Sequence, residues 1–241
     1  MSSDLLHEYK LLQELHRRQA GKKLSKFITY CKDDYDLQWY QKLVCDKLDA
    51  LLDGTLGKDK LMIFIPPQHG KSEISSRQLP AYALGKNPDL KIALGSYAAS
   101  LSSKFCQDCQ SIIDSDKYKK VFQDTVIGDE STKRQDYFEI TNKDGYYKSV
   151  GIGGGLTGFT VDIGIVDDPF KDRAEARSKV IRERAWSWYE DVFSTRLHNK
   201  SKQVLLFTRW HEDDIAGRLL AREADEWEVI ALSALKEETK P

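Results

Sequence analysis

The sequence predicts an α/β fold with a mostly parallel sheet flanked by helices. Three observations carry that prediction. Apolar runs within Leu61–Ile65, Leu90–Ser96, Val161–Pro169 and Gln203–His211 read as buried strands, the last two ending in polar groups. Helix-compatible stretches separate them, and glycine or polar clusters mark the run ends. Strand, helix, strand, helix at short spacing implies right-handed crossovers and therefore strands running in one direction.

A chain of 241 residues holds one large domain of this kind, with or without a small appendage. Its 40% hydrophobic and 31% charged residues are those of an ordinary globular protein. Thirty-seven basic against 38 acidic residues leave a net charge of −1, so any nucleic-acid contact needs a local patch. No apolar run approaches the roughly 20 residues that span a bilayer. The N-terminus lacks the apolar core of a signal peptide. An intracellular protein with no membrane partner is expected. Cys106 and Cys109 have a metal-like gap, but no second such pair exists. In their helical pattern they read as small hydrophobes.

Residues 4 to about 24 carry Leu5, Leu11, Leu12 and Leu15 among charges, an amphipathic helix with the basic run Arg17, Arg18, Lys22 and Lys23. That run reads as a solvated helix end in preference to a DNA contact, because charge runs mostly face water. Residues 1–35 are set apart as a helical appendage, docked on a main domain spanning 36–235. Residues 236–241 read as the start of a linker. A helix from Leu37 to about Leu52 is ended by Gly54 and Gly57. Within it Tyr40-Gln41 has two readings: a core aromatic beside a surface amide, or a ring and an amide matched to adenine.

The stretch Leu61-Met-Ile-Phe-Ile-Pro66-Pro67-Gln68-His69-Gly70-Lys71-Ser72-Glu73 organises the chain. It reads as a buried strand, a proline-stiffened phosphate-binding loop, and the start of a helix running from Ser72 to Ala83. Unpaired backbone amides and the positive end of the helix dipole suit a polyphosphate there. Lys71 reaches the outer phosphates, and the Ser72 hydroxyl takes one place on Mg²⁺. The full loop pattern has a glycine where Ile65 stands, so the motif needs support from the rest of the chain.

A strand from Leu90 to Ser96 and a helix from Ala98 to about Ser115 come next. The polar stretch that follows holds a hairpin of 137–141 and 146–150 around Asn142-Lys-Asp-Gly145. Gly151, Gly153, Gly154, Gly155 and Gly158 then form a glycine-rich loop: a flexible turn, or a close approach to nucleotide or DNA. The strand read over Val161–Pro169 ends in Asp167-Asp168-Pro169. An apolar strand ending in two acids downstream of Gly-Lys-Ser is what nucleotide hydrolysis requires. Asp167 is assigned to the metal and Asp168 to the attacking water. Arg173, Arg177, Arg182 and Arg184 follow, each a surface charge or a phosphate-sensing group. Thr208 and Arg209 close the strand from Gln203 and should face the site, because open α/β sheets bind ligands beyond strand C-termini. A helix from about Asp213 to Glu223 and a strand from Trp227 to Leu232 complete the sheet.

Together these segments resemble the ATPase domain of a large terminase, the motor that packages DNA into tailed-bacteriophage heads. The resemblance rests on Pro66-Pro-Gln-His-Gly-Lys-Ser-Glu73, on Ser96-Tyr97 with Leu101 and Lys104-Phe105, on Gly153-Gly-Gly-Leu-Thr-Gly158, on Ile165-Val-Asp-Asp-Pro169 and on Thr208-Arg-Trp-His211. It implies a P-loop NTPase of additional-strand, RecA-like fold that hydrolyses ATP with Mg²⁺ and moves double-stranded DNA. It implies that Tyr40-Gln41 binds adenine, that Pro67, Gln68, His69, Gly70, Lys71, Ser72 and Glu73 bind the nucleotide, and that Thr208 and Arg209 couple hydrolysis to DNA movement. The implied partners are a portal protein, a small terminase subunit and further copies in a ring, with a monomer when isolated. The place of action is the host cytoplasm, at the procapsid portal vertex. Relatives differ at Gln68, where many have Arg, at Thr157-Gly158, where many have Arg-Gly, and at Asp168, where Glu is usual. A metal nuclease half would follow residue 241, so no nuclease activity is expected of this chain. The alternatives are a helicase- or repair-type ATPase and a nucleotide-dependent DNA-binding switch with little hydrolysis.

Overall fold

The computed structural model describes residues 3–129 and 132–233; the expected linker at 236–241 lies outside them. Three helices come first: α1 (Ser3–Ala20), α2 (Leu24–Cys31) and α3 (Trp39–Leu52). Strand β1 (Lys60–Phe64) leads through a loop into a π-helical segment (Glu73–Gln78) continued by α4 (Leu79–Lys86). Then come β2 (Lys91–Ser96), α5 (Ala99–Asp114), α6 (Asp116–Val121), β3 (Tyr137–Glu139) and β4 (Tyr146–Gly151). The remainder is β5 (Val161–Asp167), α7 (Arg173–Arg177), α8 (Lys179–Ser187), a second π-helical segment (Trp188–Phe193), β6 (Leu197–Leu206), α9 (Ile215–Glu223) and β7 (Trp227–Ala231).

The seven strands among the described residues form one sheet in the order β3-β4-β2-β5-β6-β1-β7. Every pairing is parallel except the edge pair of β3 with β4. This is the predicted mostly parallel sheet, with β6 as the additional strand between β1 and β5. The antiparallel edge is the expected hairpin, with Ile140 and Gly145 bonded across its turn.

A parallel sheet flanked by helices must bury both faces, so its strands are continuously apolar. In β1, Leu61 and Ile63 face one core with Ile92, Leu94, Ile163, Ile165, Val204 and Leu206. Met62 and Phe64 face the other, with Ala93, Val166 and Leu205. Helices α2 to α5 cover the first face; α8, the second π-helical segment and α9 cover the second.

The N-terminal pattern resolves differently from one long amphipathic helix. The chain breaks after Ala20 and restarts as α2, because the buried carboxylate of Asp49 accepts the Leu24 amide at 3.1 and 3.2 Å. That carboxylate serves as an N-terminal cap supplied from another helix. Leu24, Phe27 and Ile28 are fully buried in the first core, so α2 shares the sheet's packing. Helix α1 rides outside it, with Leu5, Leu11, Leu12 and Leu15 between 47% and 58% exposed. Helix α6 lies in a stretch whose polarity predicts turns, and β6 begins at Leu197, six residues before the expected start at Gln203. Cys106 and Cys109 are buried in the core on α5, and burial pushes both thiols up, Cys106 to about 12. Among the described residues no helix is long and apolar enough to cross a membrane.

Two strand glycines let the second π-helical segment lie flat on the sheet. A Cβ at Gly95 would stand 2.3 Å from the Trp188 ring, and one at Gly164 2.7 Å from the Phe193 ring. Overpacking of that kind costs about 1–3 kcal/mol. Gly95→Ala should therefore lose about that much stability in urea denaturation. Gly155→Ala, whose new carbon meets nothing within 4 Å, should change it by less than about 0.5 kcal/mol. Equal effects would show that Trp188 does not press on β2.

Candidate functional site

The site forms where β1, β6 and β5 end side by side. After Phe64 the chain turns through Ile65 to Gly70 with two left-handed residues, Gln68 at φ 64° and Gly70 at φ 79°. Glycine alone fits position 70. A Cβ there would lie 2.5 Å from Gln41 Nε2 and 2.9 Å from the Tyr35 hydroxyl. Pro67 and Gln68 are exposed at the loop tip. His69 Nδ1 donates to the Pro67 carbonyl at 2.8 Å, and its ring packs 5.5 Å from the Tyr40 ring.

Gln41 grips this loop from α3. Its Nε2 donates to the His69 carbonyl and to the Tyr35 hydroxyl, both at 3.2 Å. Its Oε1 accepts the Gln38 amide at 2.9 Å, closing a capping box at the start of α3. Both amide protons of the side chain are thus engaged within the chain.

Lys71 opens the following helix with its side chain only 8% exposed. Its Nζ lies 3.1 Å from Asp168 Oδ2 and 3.5 Å from Thr208 Oγ1. Thr208 Oγ1 in turn donates to the Ile65 carbonyl at 3.4 Å. Asp168 follows β5 in a left-handed conformation, φ 42°, an uncommon state for a residue other than glycine, asparagine or aspartate. Its amide donates to the Leu206 carbonyl and its carbonyl accepts the Tyr97 amide, so β6 and the end of β2 fix it from both sides.

Asp167 is fully buried, and Ser76 Oγ donates to its Oδ2 at 2.6 Å. Its Oδ1 has no hydrogen-bond partner among the described residues. Burial, then the neighbouring Asp168 charge, push the Asp167 carboxyl up to about 7; the Ser76 and Ser72 hydroxyls and the Lys71 ammonium pull the other way. A buried, half-satisfied carboxylate beside the first serine of the helix that follows the β1 loop suits a divalent cation with oxygen ligands.

Lys71, Ser72, Asp167, Asp168 and Thr208 are therefore brought together, with Gly70, His69, Gln41 and Tyr40 behind the loop. Two of the expected residues turn elsewhere. Glu73 meets Lys32 Nζ at 2.8 Å and Gln78 Nε2 at 3.0 Å, because the helix start aims it toward α2. Arg209 Nε donates to Asp214 Oδ2 at 2.7 Å, and its guanidinium lies 5.2 Å from the Phe64 ring. Asp214 also caps α9 through the Gly217 amide at 2.8 Å. Of the candidate arginines, Arg182 pairs with Asp213, Arg173 lies over the Trp210 ring, and the exposed Arg184 lies against Gly153. The glycine loop is held by the Trp188 indole, whose Nε1 donates to the Gly154 carbonyl at 2.8 Å.

Sequence reasoning missed Ser76 and Tyr35. Ser76 stands four residues after Ser72, a spacing that was available as a signal. It lies in the π-helical segment, whose Leu79 amide reaches the Ile74 carbonyl. Nothing in the sequence around Tyr35 marks it as a partner of Gln41.

The family described as terminase large subunit, T4likevirus-type, N-terminal, matches residues 62–240. No curated protein matches the chain. Among solved structures, a mutant large terminase ATPase domain of Thermus phage P74-26 is similar over 75% of this chain and 68% of its own, at 14% identity and a TM-score of 0.49. A large terminase from a thermophilic bacteriophage, solved with ADP, is similar over 78% of this chain and 45% of its own, at 12% identity and a TM-score of 0.47. This chain thus spans less than half of that protein. The Phi-28 gp11 DNA packaging motor is similar over 76% of this chain and 59% of its own, at 12% identity and a TM-score of 0.38.

The Asp167 carboxyl gives the metal-free protein a pH signature. Its folded pKa, about 7, stands above the unfolded value of about 3.8. The folded state therefore holds a proton that the unfolded state releases, and stability should fall as pH rises from about 4 to 7. Asp167→Asn removes the ionising group. Denaturation midpoints in chelator at pH 5 and pH 8 should differ for the parent and converge for Asp167→Asn. An equal drop in both proteins would place the titrating group elsewhere.

Proposed function

The chain belongs to the terminase large-subunit family, T4-like type, as its N-terminal part, and from that premise we propose that it hydrolyses ATP to drive double-stranded DNA into a viral procapsid. The observation that carries the reading is the meeting of Lys71, Ser72, Asp167 and Asp168 at the ends of β1 and β5. This is one basic, one hydroxyl and two acidic groups at a helix start that suits phosphate.

In this reading the backbone from Pro67 to Gly70 and the ammonium of Lys71 take the phosphates. Ser72 and Asp167, whose Oδ1 has no hydrogen-bond partner among the described residues, would hold Mg²⁺. When bound, Mg²⁺ neutralises charge on the transferring phosphoryl group. Asp168 orients the attacking water and takes its proton. Its contact with Lys71 at 3.1 Å means that the lysine must be shared with, or passed to, the phosphates before that carboxylate can serve as a base.

Tyr40 and Gln41 are proposed to meet adenine. Because both amide protons of Gln41 already hold the loop and Tyr35, an arriving base edge would exchange one of those bonds and so report to the loop. Thr208, in contact with Lys71, is the more direct coupling residue; Arg209 would act through Asp214 and α9. A nucleotide domain spanning 36–235 is proposed, with α1 in residues 1–35 as its outer appendage and α2 packed into its core. The proposed partners are a portal protein, a small terminase subunit and further copies in a ring, in the host cytoplasm. The alternative is a nucleotide-dependent DNA-binding switch, supported by the shorter Asp168 and its pairing with Lys71.

Steady-state ATP turnover, with and without DNA, tests the assignments. Lys71→Ala and Asp168→Ala should each lower turnover by about 10²-fold or more. Asp168→Ala at the parental rate would remove Asp168 from the chemistry and favour the switch. Ser76→Ala should raise the Mg²⁺ concentration needed for half-maximal nucleotide binding by about 10- to 100-fold. Metal-free nucleotide affinity should stay unchanged in that variant; a parallel fall in both would make Ser76 a packing residue only.

A further inference from the structure

The surface where α1, α2 and α6 meet concentrates positive charge, only part of which is paired within the chain: Glu14 pairs with Arg17 and Arg18, Glu73 with Lys32 and Asp33 with Lys117. From Leu15 to Lys32 the chain has Arg17, Arg18, Lys22, Lys23, Lys26 and Lys32 and no acid. Helix α6 brings Lys117, Lys119 and Lys120 to the same place from about a hundred residues away. Arg17 Nη1 donates to the Lys120 carbonyl at 2.9 Å, and Gly21 lies against Val121. Between the helices is a cavity of about 400 Å³ lined by His16, Lys26, Tyr30, Lys117 and Lys120, with Asp33 as its one acid, already bonded to Lys117.

Local stability explains only part of this charge. Arg17 and Arg18 lie in the last turn of α1, and Lys119 and Lys120 in the last turn of α6, where cations complement the helix dipole. Lys22, Lys23 and Lys26 lie at the opposite kind of end, before and within the first turn of α2, where the dipole opposes a cation. Several lysines on other faces are paired, Lys47 with Glu228, Lys86 with Asp53, Lys148 with Asp136 and Lys202 with Asp59, and those with no such pair among the described residues, including Lys143, Lys179 and Lys200, are scattered along the chain. Lys22, Lys26, Lys119 and Lys120 are exposed and have no carboxylate within ion-pair distance among the described residues. In a protein of net charge −1, such a concentration sets up a local field for an external anion.

We propose that this surface contacts the sugar–phosphate backbone of double-stranded DNA, with Lys22, Lys23 and Lys26 as a ridge and Lys117 and Lys120 at the cavity mouth. The partner's identity rests on the packaging reading; the site rests on the charge arrangement. The concave shape suits a ridge of phosphates. A flat anionic membrane is less well matched, because Glu8 interrupts the exposed leucines of α1.

Fluorescence anisotropy of a short DNA duplex, titrated with the nucleotide-free chain between 50 and 200 mM salt, tests it. Each phosphate contact contributes about 0.9 to the slope of log affinity against log salt. Lys22→Gln/Lys23→Gln/Lys26→Gln should weaken binding at least about tenfold at 100 mM salt and make the slope shallower by about 2 to 3. Lys143→Gln/Lys179→Gln/Lys200→Gln should match the parent. Both triples should keep the parent's ADP affinity and melting temperature. Parental affinity and slope in the first triple, no duplex binding by the parent at 50 mM salt, or loss of phosphatidylserine-vesicle binding with duplex binding intact would each overturn the proposal. Hydrolysis is not read in this assay, so a failure of the ATPase reading would leave the slope difference standing, and the two are separable.

Discussion

A lysine ammonium held almost out of water needs an anion beside it, or the charge is strongly destabilising. Lys71 has that anion in Asp168, and much of the architecture serves to put the two within reach. The lysine comes from a loop after β1 and the carboxylate from the turn after β5. They can meet only because β6 lies between those strands, in register with both. Asp168 is pinned in a left-handed conformation by main-chain bonds to β6 and to the end of β2. One ion pair thus closes a ring that runs through four neighbouring strand ends.

The groups behind that pair form a graded set of constraints. Gln41 and Tyr35 hold the loop from α3 and its approach; Ser76 holds Asp167 from the first helix. Arg209 and Asp214 tie the turn after β6 to α9, and a Cβ at Gly217 would fall 1.7 Å from the Glu212 carbonyl. The Arg209–Asp214 pair is the bond through which a shift in the Thr208 turn would pull on the start of α9.

Much of this was legible in the sequence, for a physical reason. Parallel strands buried on both faces leave unbroken apolar runs, so β1, β2, β5 and the second half of β6 stand out against a highly charged chain. The paired acids after one run and Gly-Lys-Ser after another needed only the sheet to bring them together. What stayed hidden depends on contacts between distant residues. Helix α2 starts where it does because of Asp49, and α6 is a short amphipathic turn inside a polar stretch. The basic run at residues 17 to 26 reads as solvated, and its lysines at 22, 23 and 26 are exposed; that α6 sets more lysines beside them is visible only in the fold. Gln41 was read for its hydrogen-bonding capacity, and the structure shows that capacity already engaged by Gln38, Tyr35 and His69.

The π-helical segment after the β1 loop bears on how this chain should be set beside its kin. A π turn holds one residue more than the α turn it interrupts. Against any relative whose helix is regular here, the correct superposition has a single-residue gap between Glu73 and Gln78. Correspondences that run straight through would hold at Lys71 and Ser72 and slip by one position beyond the turn. Ser76 would then be paired with a neighbour that faces away from the acidic strand, and its contact with Asp167 would vanish from the comparison.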